Sequence, residues 1–348
     1  MQLNRTIIDS PIMLFVGAGA SASLDKPTMV QFVERLTNAI SNQSQQTLLN
    51  ILTRARGANL EDLLAELDTL ISLDYIASMG SAVLTQYTRI ERETAQRLRI
   101  NVEHAIIQQY RHVDAGATTR LYKPLMDLLF AFLDSKSQCL PVFTTNYDPA
   151  IEVFCEENHS EFAIHDGFSF DEASRQFYWD RSGFDHFKNT PGKKNIVLFK
   201  MHGSADWLYV KARQKIRRGQ AMYDGIDSDA YDNIIIYPAT RKIATADPYY
   251  TAYEYFQRCC EHATVNLTIG YSFKDYDALT RLRGASSAND KLRLAILSPD
   301  AKDIASTLPI SQVVKSFPYF FVQQDGEQKY LRDISSYIGG LLNQAPRC

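Results

Sequence analysis

Seven short apolar, β-rich runs recur along the chain with helical stretches between them: Ile12 to Val16, Cys139 to Thr144, Ile196 to Lys200, Ile234 to Tyr237, Val265 to Ile269, Leu292 to Leu297 and Tyr319 to Val322. Most are continuous Val/Ile/Leu/Phe runs rather than apolar–polar alternations. A strand covered on one face alternates, whereas a strand covered on both faces stays apolar throughout. The pattern predicts an α/β fold, with a Rossmann-like, mostly parallel sheet and helices on both faces.

The segment between the first two runs has almost no strand character. Met29, Val33, Leu36 and Ile40 follow helical spacing behind a T-x-x-Q capping box at Thr28 and Gln31. Leu60, Leu63, Leu64, Leu67 and Ile71 form a second stripe behind Asn59, and a third charged helical pattern covers Ser81 to Tyr110. A βα unit returns to its sheet after one helix, so residues 41–117 read as a helical subdomain inserted into a core domain spanning 1–340. Cys155 to Lys194, rich in aromatic residues, Asp and Gly, has no period and reads as a loop or small subdomain over one end of the sheet.

Composition narrows the function classes. The 348 residues carry 37 Lys and Arg against 40 Asp and Glu, a net charge of −3, so no global excess recommends nucleic acid or an anionic membrane as the main partner. With 45% hydrophobic and 22% charged residues, the chain has the makings of a large core. Lys211 to Arg218 is a local basic segment, read as a solvated face. No apolar run reaches the ~18 residues that span a bilayer. Arg5, Pro11 to Val16 and Ala20-Ser21-Ala22 superficially resemble a secretory signal, but Asp9 interrupts it and cleavage there would remove the glycine turn described next. Five cysteines without a C-x-x-C pair write neither a disulfide framework nor a four-cysteine zinc site, so no metal is expected and a reducing cytoplasm fits best.

Four strand ends carry polar motifs. Gly17-Ala18-Gly19-Ala20-Ser21-Ala22 follows the first strand, where a glycine turn lets backbone N–H groups approach a pyrophosphate; a ligand-free tight turn is the alternative. Dinucleotide folds place an acidic residue at the end of a second strand about 20 residues on, and here that region reads as helix, which disfavours an ordinary dehydrogenase. Thr144-Thr145-Asn146-Tyr147-Asp148 ends the second strand, on the edge where open α/β sheets bind ligands, although Asn146 or Asp148 also suits a helix cap ahead of Pro149. His202, in Met201-His202-Gly203-Ser204, brings an imidazole to the same edge as a general base, a hydrogen-bond anchor or a structural residue. Ile269-Gly270-Tyr271-Ser272-Phe273, followed by Asp275 and Asp277, ends a fourth.

As an ordered set, G-A-G-A-S at 17–21 with Pro27, T-T-N-Y-D at 144–148, K-M-H-G-S at 200–204 and I-G-Y-S-F at 269–273 resemble the NAD-binding core of the sirtuin family over residues 12 to about 300. The resemblance implies that Gly17, Ala18, Gly19 and Ser21 contact the NAD phosphates and ribose, with Thr144 and Thr145 in the same binding set. It implies that Asn146 and Asp148 lie by the nicotinamide ribose and carboxamide, and that His202 is the catalytic histidine. Gly270 and Ser272 would hold the adenosine half, with Ser298 near the adenine.

The departures matter. Protein-deacetylating sirtuins carry a four-cysteine zinc ribbon after the histidine, yet residues 203–258 hold no cysteine, and Thr145 replaces the glutamine of their T-Q-N-I-D motif. The helical insertion, E-D-L-L at 61–64 and Y-P-A-T with Lys242 are similar instead to bacterial sirtuin-like effectors of antiphage defence. That similarity implies an NAD+ hydrolase, with catalytic Asn146, His202 and Asp148, that depletes NAD+ in the infected cell. Two alternatives remain: an NAD-dependent deacylase or ADP-ribosyltransferase, and a non-catalytic nucleotide-binding assembly module. The expected partners are NAD+, further copies of the chain and a separately encoded ATPase or nuclease as sensor, since only one strand and a helical pattern from Leu331 to Leu342 follow the core. Direct nucleic-acid binding and membrane association are not expected.

Overall fold

The computed structural model describes residues 3–27, 29–56, 60, 63–64, 66–71, 92–133, 139–218, 231–235, 247–310, 314–321 and 329–343. Thr28 of the expected capping box, residues 72–91, Y-P-A-T and Lys242 lie outside them. Chain contacts divide the protein into two compact units: residues 1–25, 111–235 and 243–348 form the first, and 26–110 with 236–242 the second.

The first unit is built on a seven-stranded parallel sheet. Its strands are β1 (Ile12–Val16), β2 (Cys139–Thr144), β3 (Phe162–His165), β6 (Lys194–Lys200), β10 (Val265–Ile269), β11 (Arg293–Leu297) and β12 (Val314–Phe317), in the order β12-β11-β10-β1-β2-β6-β3. All five residues of β1 and all six of β2 are buried, which is why their sequences are continuously apolar. Alternate side chains face opposite layers. Leu14, Val142, Leu198 and Leu267 pack with Leu121, Leu125 and Leu129 of the helix Ala115–Phe132 and Ile334 and Ile338 of the helix Lys329–Asn343. Phe15, Phe143 and Phe199 face the other way onto the helix Tyr249–His262, where Phe143 and Phe199 stack at 4.8 Å and Phe15 meets Phe256 edge-on at 5.4 Å. Such ring pairs contribute about 0.5–1.5 kcal/mol each beyond their area.

A second, antiparallel sheet follows β3 and β6. It holds β4 (Phe168–Asp171), β5 (Gln176–Trp179), β7 (Gly203–Val210), β8 (Lys215–Arg218) and β9 (Tyr231–Ile235), in the order β4-β5-β8-β7-β9. The stretch 155–194, read as a loop or small subdomain, supplies β3 to the parallel sheet and the β4–β5 hairpin to this one. The expected run 234–237 contributes Ile234 and Ile235 to β9, outside the parallel sheet. The basic segment 211–218 is exposed over residues 211–215, as read, and part of its charge is paired: Arg218 pairs with Asp166 and lies over the rings of Phe168 and Phe177, and Arg213 pairs with Asp171 at 3.0 Å.

One expected strand is displaced. The edge strand is Val314–Phe317, while Tyr319 to Phe321 pairs with no strand among the described residues, and Val322 lies outside them. Pro318 ends the ladder because it has no N–H to donate. Beyond it Phe321 packs edge-on against Tyr122 and Tyr330, so its apolar character serves the core under the sheet edge.

The second unit is helical where described, with helices Met29–Ala39, Gln43–Arg56 and Arg92–Tyr110. Val33, Leu36, Leu60, Leu63, Leu64 and Leu67 are buried, as their spacing requires. Tyr110 ties this unit's ends together, donating to the Pro27 carbonyl at 2.8 Å. Among the described residues no helix is long and apolar enough to cross a membrane, and no group of three or more His, Cys, Asp or Glu could hold a metal ion.

Candidate functional site at the strand ends

The parallel register explains how distant motifs meet. Leu297, Ile269, Val16, Thr144 and Lys200 form one row across β11, β10, β1, β2 and β6. Asn146 and His202 each stand two residues past that row on neighbouring strands, and Gly17, Gly270 and Ser298 one residue past it. Parallel strands that finish level bring their following loops together, at the edge where open α/β sheets bind ligands.

The turns after β1 and β10 are locked to each other. Gly17 N–H donates to the Ile269 carbonyl and Gly19 N–H to the Gly270 carbonyl, each at 2.8 Å. Gly270 has a φ of +60°, and a β-carbon there would stand 2.4 Å from the Ala20 nitrogen. These glycines are thus required by backbone packed on backbone, a constraint separate from any ligand.

Around that turn lies a buried polar chain. Asn146 Nδ2 donates to the Gly17 carbonyl at 3.1 Å and to Ser21 Oγ at 2.8 Å, and Ser21 donates to Asp148 Oδ2 at 2.6 Å. Asp148 Oδ1 accepts the Ala150 N–H at 3.2 Å, at the start of the helix Ala150–Glu157. Both Asp148 oxygens are therefore engaged within the protein, and its cap role coexists with its hold on Ser21. Thr144 is equally committed: its hydroxyl donates to the Val16 carbonyl at 2.9 Å and accepts the Asn146 N–H at 3.0 Å. One atom of the group has no hydrogen-bond partner among the described residues, the buried Oδ1 of Asn146.

His202 is buried, and its Nε2 lies 2.8 Å from Asp275 Oδ2 and 3.2 Å from the Tyr253 hydroxyl, which itself donates to Asp275 Oδ2 at 2.8 Å. Asp275 Oδ1 accepts the N–H groups of Asp277 and Ala278, capping the helix Tyr276–Ala288. Burial works to raise the Asp275 carboxyl, but the His202, Tyr253 and backbone hydrogen bonds outweigh it and hold the group below the usual carboxylate range. Burial and the neighbouring Asp275 charge push the Tyr253 hydroxyl up, so it stays a donor.

Lys200, at the end of β6, fastens the same region from below. Its Nζ donates to the Asp148 carbonyl at 2.6 Å and stands 3.1 Å from Glu152 Oε1, both side chains buried. Burial pushes the Glu152 carboxyl up to about 7, with Lys200 pulling it back and Asp206 raising it further.

The remaining expected residues sit at the same edge in varied settings. Ala18, Gly19 and Ser272 are exposed and Thr145 is half-buried. Ser298 is buried, its Oγ 3.4 Å from the Asp300 nitrogen. Asp275, Tyr253, Lys200 and Glu152 join the expected residues here without a role assigned from sequence. Asp275 carries a cap signal ahead of a helix, but Tyr253 lies inside an aromatic helix and nothing in its spacing sets it apart.

Among curated proteins none matches the chain. Among solved structures, a SIR2 homolog in complex with NAD is similar, with a TM-score of 0.46 and 12% identity over 97% of this chain and 93% of that one. A Sir2 bound to acetylated peptide is similar with a TM-score of 0.42 and 12% identity, over 97% and 96% of the two chains. Residues 141–312 match the sequence profile of the SIR2-like domain family. That span carries Asn146, His202, Gly270 and Ser298, while the glycine turn at 17–19 precedes it. Over residues 141–312 the chain is therefore similar to the SIR2-like domain family.

Proposed function

We propose that the strand-end site hydrolyses NAD+ to nicotinamide and ADP-ribose, and that the chain serves as an antiphage defence effector that depletes cellular NAD+. The observation that carries this reading is the buried Oδ1 of Asn146, which has no partner among the described residues, on the strand end next to His202. A buried amide oxygen left without a donor costs about 1–3 kcal/mol, a cost that a donor arriving with a ligand would relieve. A ribose hydroxyl or a water supplies that donor. This is the fit between the residues present and the proposed substrate.

Cleavage breaks the bond between the ribose C1′ and the pyridinium nitrogen. The electron pair leaves on nicotinamide, neutralising the pyridinium, while positive charge gathers on the ribosyl group. A water oxygen bonds to C1′, and its proton passes to His202 and then to solvent. Asn146 orients the ribose or the water through Oδ1, and Asp148 acts by holding Ser21 and the turn in place. Gly17, Ala18, Gly19, Ser21, Thr144 and Thr145 form the phosphate and ribose side, and Gly270, Ser272 and Ser298 the adenosine side. Further copies of the chain and a separately encoded ATPase or nuclease would hold the activity in check until a trigger arrives.

The test is mass spectrometry of NAD+ incubated with the purified chain, with and without acylated peptide, next to His202→Ala. Nicotinamide and ADP-ribose from the wild type alone support hydrolysis. Product only in the presence of peptide would assign deacylation instead, and intact bound NAD+ a non-catalytic nucleotide module.

A further inference from the structure

We infer that Asp275 is the positioning residue of this site: it fixes the His202 ring with its proton on Nε2, leaving Nδ1 as the atom that takes a proton from the attacking water. The inference rests on the hydrolytic reading for its chemistry, and on geometry alone for the ring.

An ionised carboxylate only accepts hydrogen bonds. Four donors or candidate donors converge on Asp275: the Asp277 and Ala278 N–H groups at 2.9 and 3.2 Å on Oδ1, and the Tyr253 hydroxyl and His202 Nε2, both at 2.8 Å, on Oδ2. The single Tyr253 proton goes to Asp275, so toward the ring its oxygen is an acceptor. Two acceptors therefore face Nε2, and a lone pair there would repel both. The proton must sit on Nε2, and the ring's other nitrogen, which makes no hydrogen bond among the described residues, carries the lone pair.

The arrangement also sets the ring's orientation. Because Oδ1 is committed to the helix start, the carboxylate cannot turn without uncapping Tyr276–Ala288. A buried acid that orients a histidine and selects its tautomer is an established device of general-base sites. In the step above, the water O–H bond breaks, its electrons form the bond to C1′, and the proton moves to Nδ1, making an imidazolium that Asp275 stabilises through Nε2–H. Release of that proton to solvent restores the neutral ring.

The experiment is 15N NMR of the full-length chain labelled at histidine, the His202 signal being assigned by its loss in His202→Gln. The wild type is expected to show the Nε2-protonated pattern. Asp275→Asn keeps a helix-capping oxygen but turns an NH2 toward Nε2, so it is expected to switch the ring to the Nδ1-protonated form and to cut nicotinamide release about 10²-fold or more. Tyr253→Phe retains the carboxylate and is expected to keep the Nε2 proton. A wild-type ring protonated on Nδ1, an Asp275→Asn spectrum like the wild type's, or a switch in Tyr253→Phe would each overturn the assignment. Should Asp275→Asn not fold, the wild-type and Tyr253→Phe spectra still decide. A wild type that releases no nicotinamide sinks the hydrolytic reading, while the spectra judge Asp275 separately.

Discussion

Gly19 N–H donates to the Gly270 carbonyl at 2.8 Å, and a side chain at 270 would drive a β-carbon to within 2.6 Å of the Gly19 carbonyl carbon. Two chain segments some 250 residues apart in sequence thus touch through bare backbone. Gly270→Ala is expected to lose at least about 1–3 kcal/mol through overpacking, besides the left-handed φ penalty. Gly284, in the helix Tyr276–Ala288 with open space around it, makes the control: Gly284→Ala should gain about 0.5–1 kcal/mol. Denaturant unfolding of both variants measures the contrast, and equal effects at the two positions would contradict it.

Asn146→Ala removes the unpartnered Oδ1 together with the donors to Gly17 and Ser21. His202→Ala removes the proposed base. Both are expected to abolish nicotinamide release, the histidine change by about 10²–10⁴ in rate, with far-ultraviolet dichroism like the wild type's. Wild-type turnover in either variant counts against the assigned roles.

Lys200→Met strips Glu152 of its counter-ion and Asp148 of the donor to its carbonyl. Breaking a buried pair from one side costs about 3–5 kcal/mol, whereas replacing both partners with apolar residues is often neutral. The double variant Lys200→Met with Glu152→Leu should therefore recover most of the loss on the Glu152 side. A double variant as unstable as the sum of its singles would show that the two do not act as a pair.

The depressed Asp275 carboxyl has a pH signature. Its folded-state value lies below the ordinary ~3.9 of an aspartate, so the stability it contributes is present above that value and is lost as pH falls through the folded one. The stability gap between wild type and Asp275→Asn should shrink as pH falls below the ordinary aspartate value. Parallel stability curves down to pH 2 would contradict the shift.

Much of this was legible because the parallel sheet is buried on both faces. Continuous apolar runs such as Ile12 to Val16 can be read without any tertiary knowledge, and their polar ends mark the sheet edge that carries the candidate site. Tyr319 to Phe321 shows where that reading fails, since an apolar run cannot tell a ladder from a plug packed under it. The short strands between Phe162 and Trp179 were hidden because β3, at the edge of the parallel sheet, and β4 and β5, in the antiparallel one, are half-exposed and leave no unbroken apolar run. Within the site, Asn146, Ser21 and His202 announced themselves by motif, whereas Tyr253 meets His202 only through the packing of the helix Tyr249–His262, which sequence distance conceals.

Only Met201 and His202 separate the last residue of β6 from the first of β7, so the imidazole rides on the seam where the parallel sheet hands over to the antiparallel one. The Tyr147 carbonyl accepts both the Ser204 hydroxyl and the Ala205 N–H, lacing the Asn146 turn to the same seam. Any tug on β7 must therefore drag histidine and asparagine as one piece, and their mutual spacing survives distortions that would scatter residues mounted on independent loops.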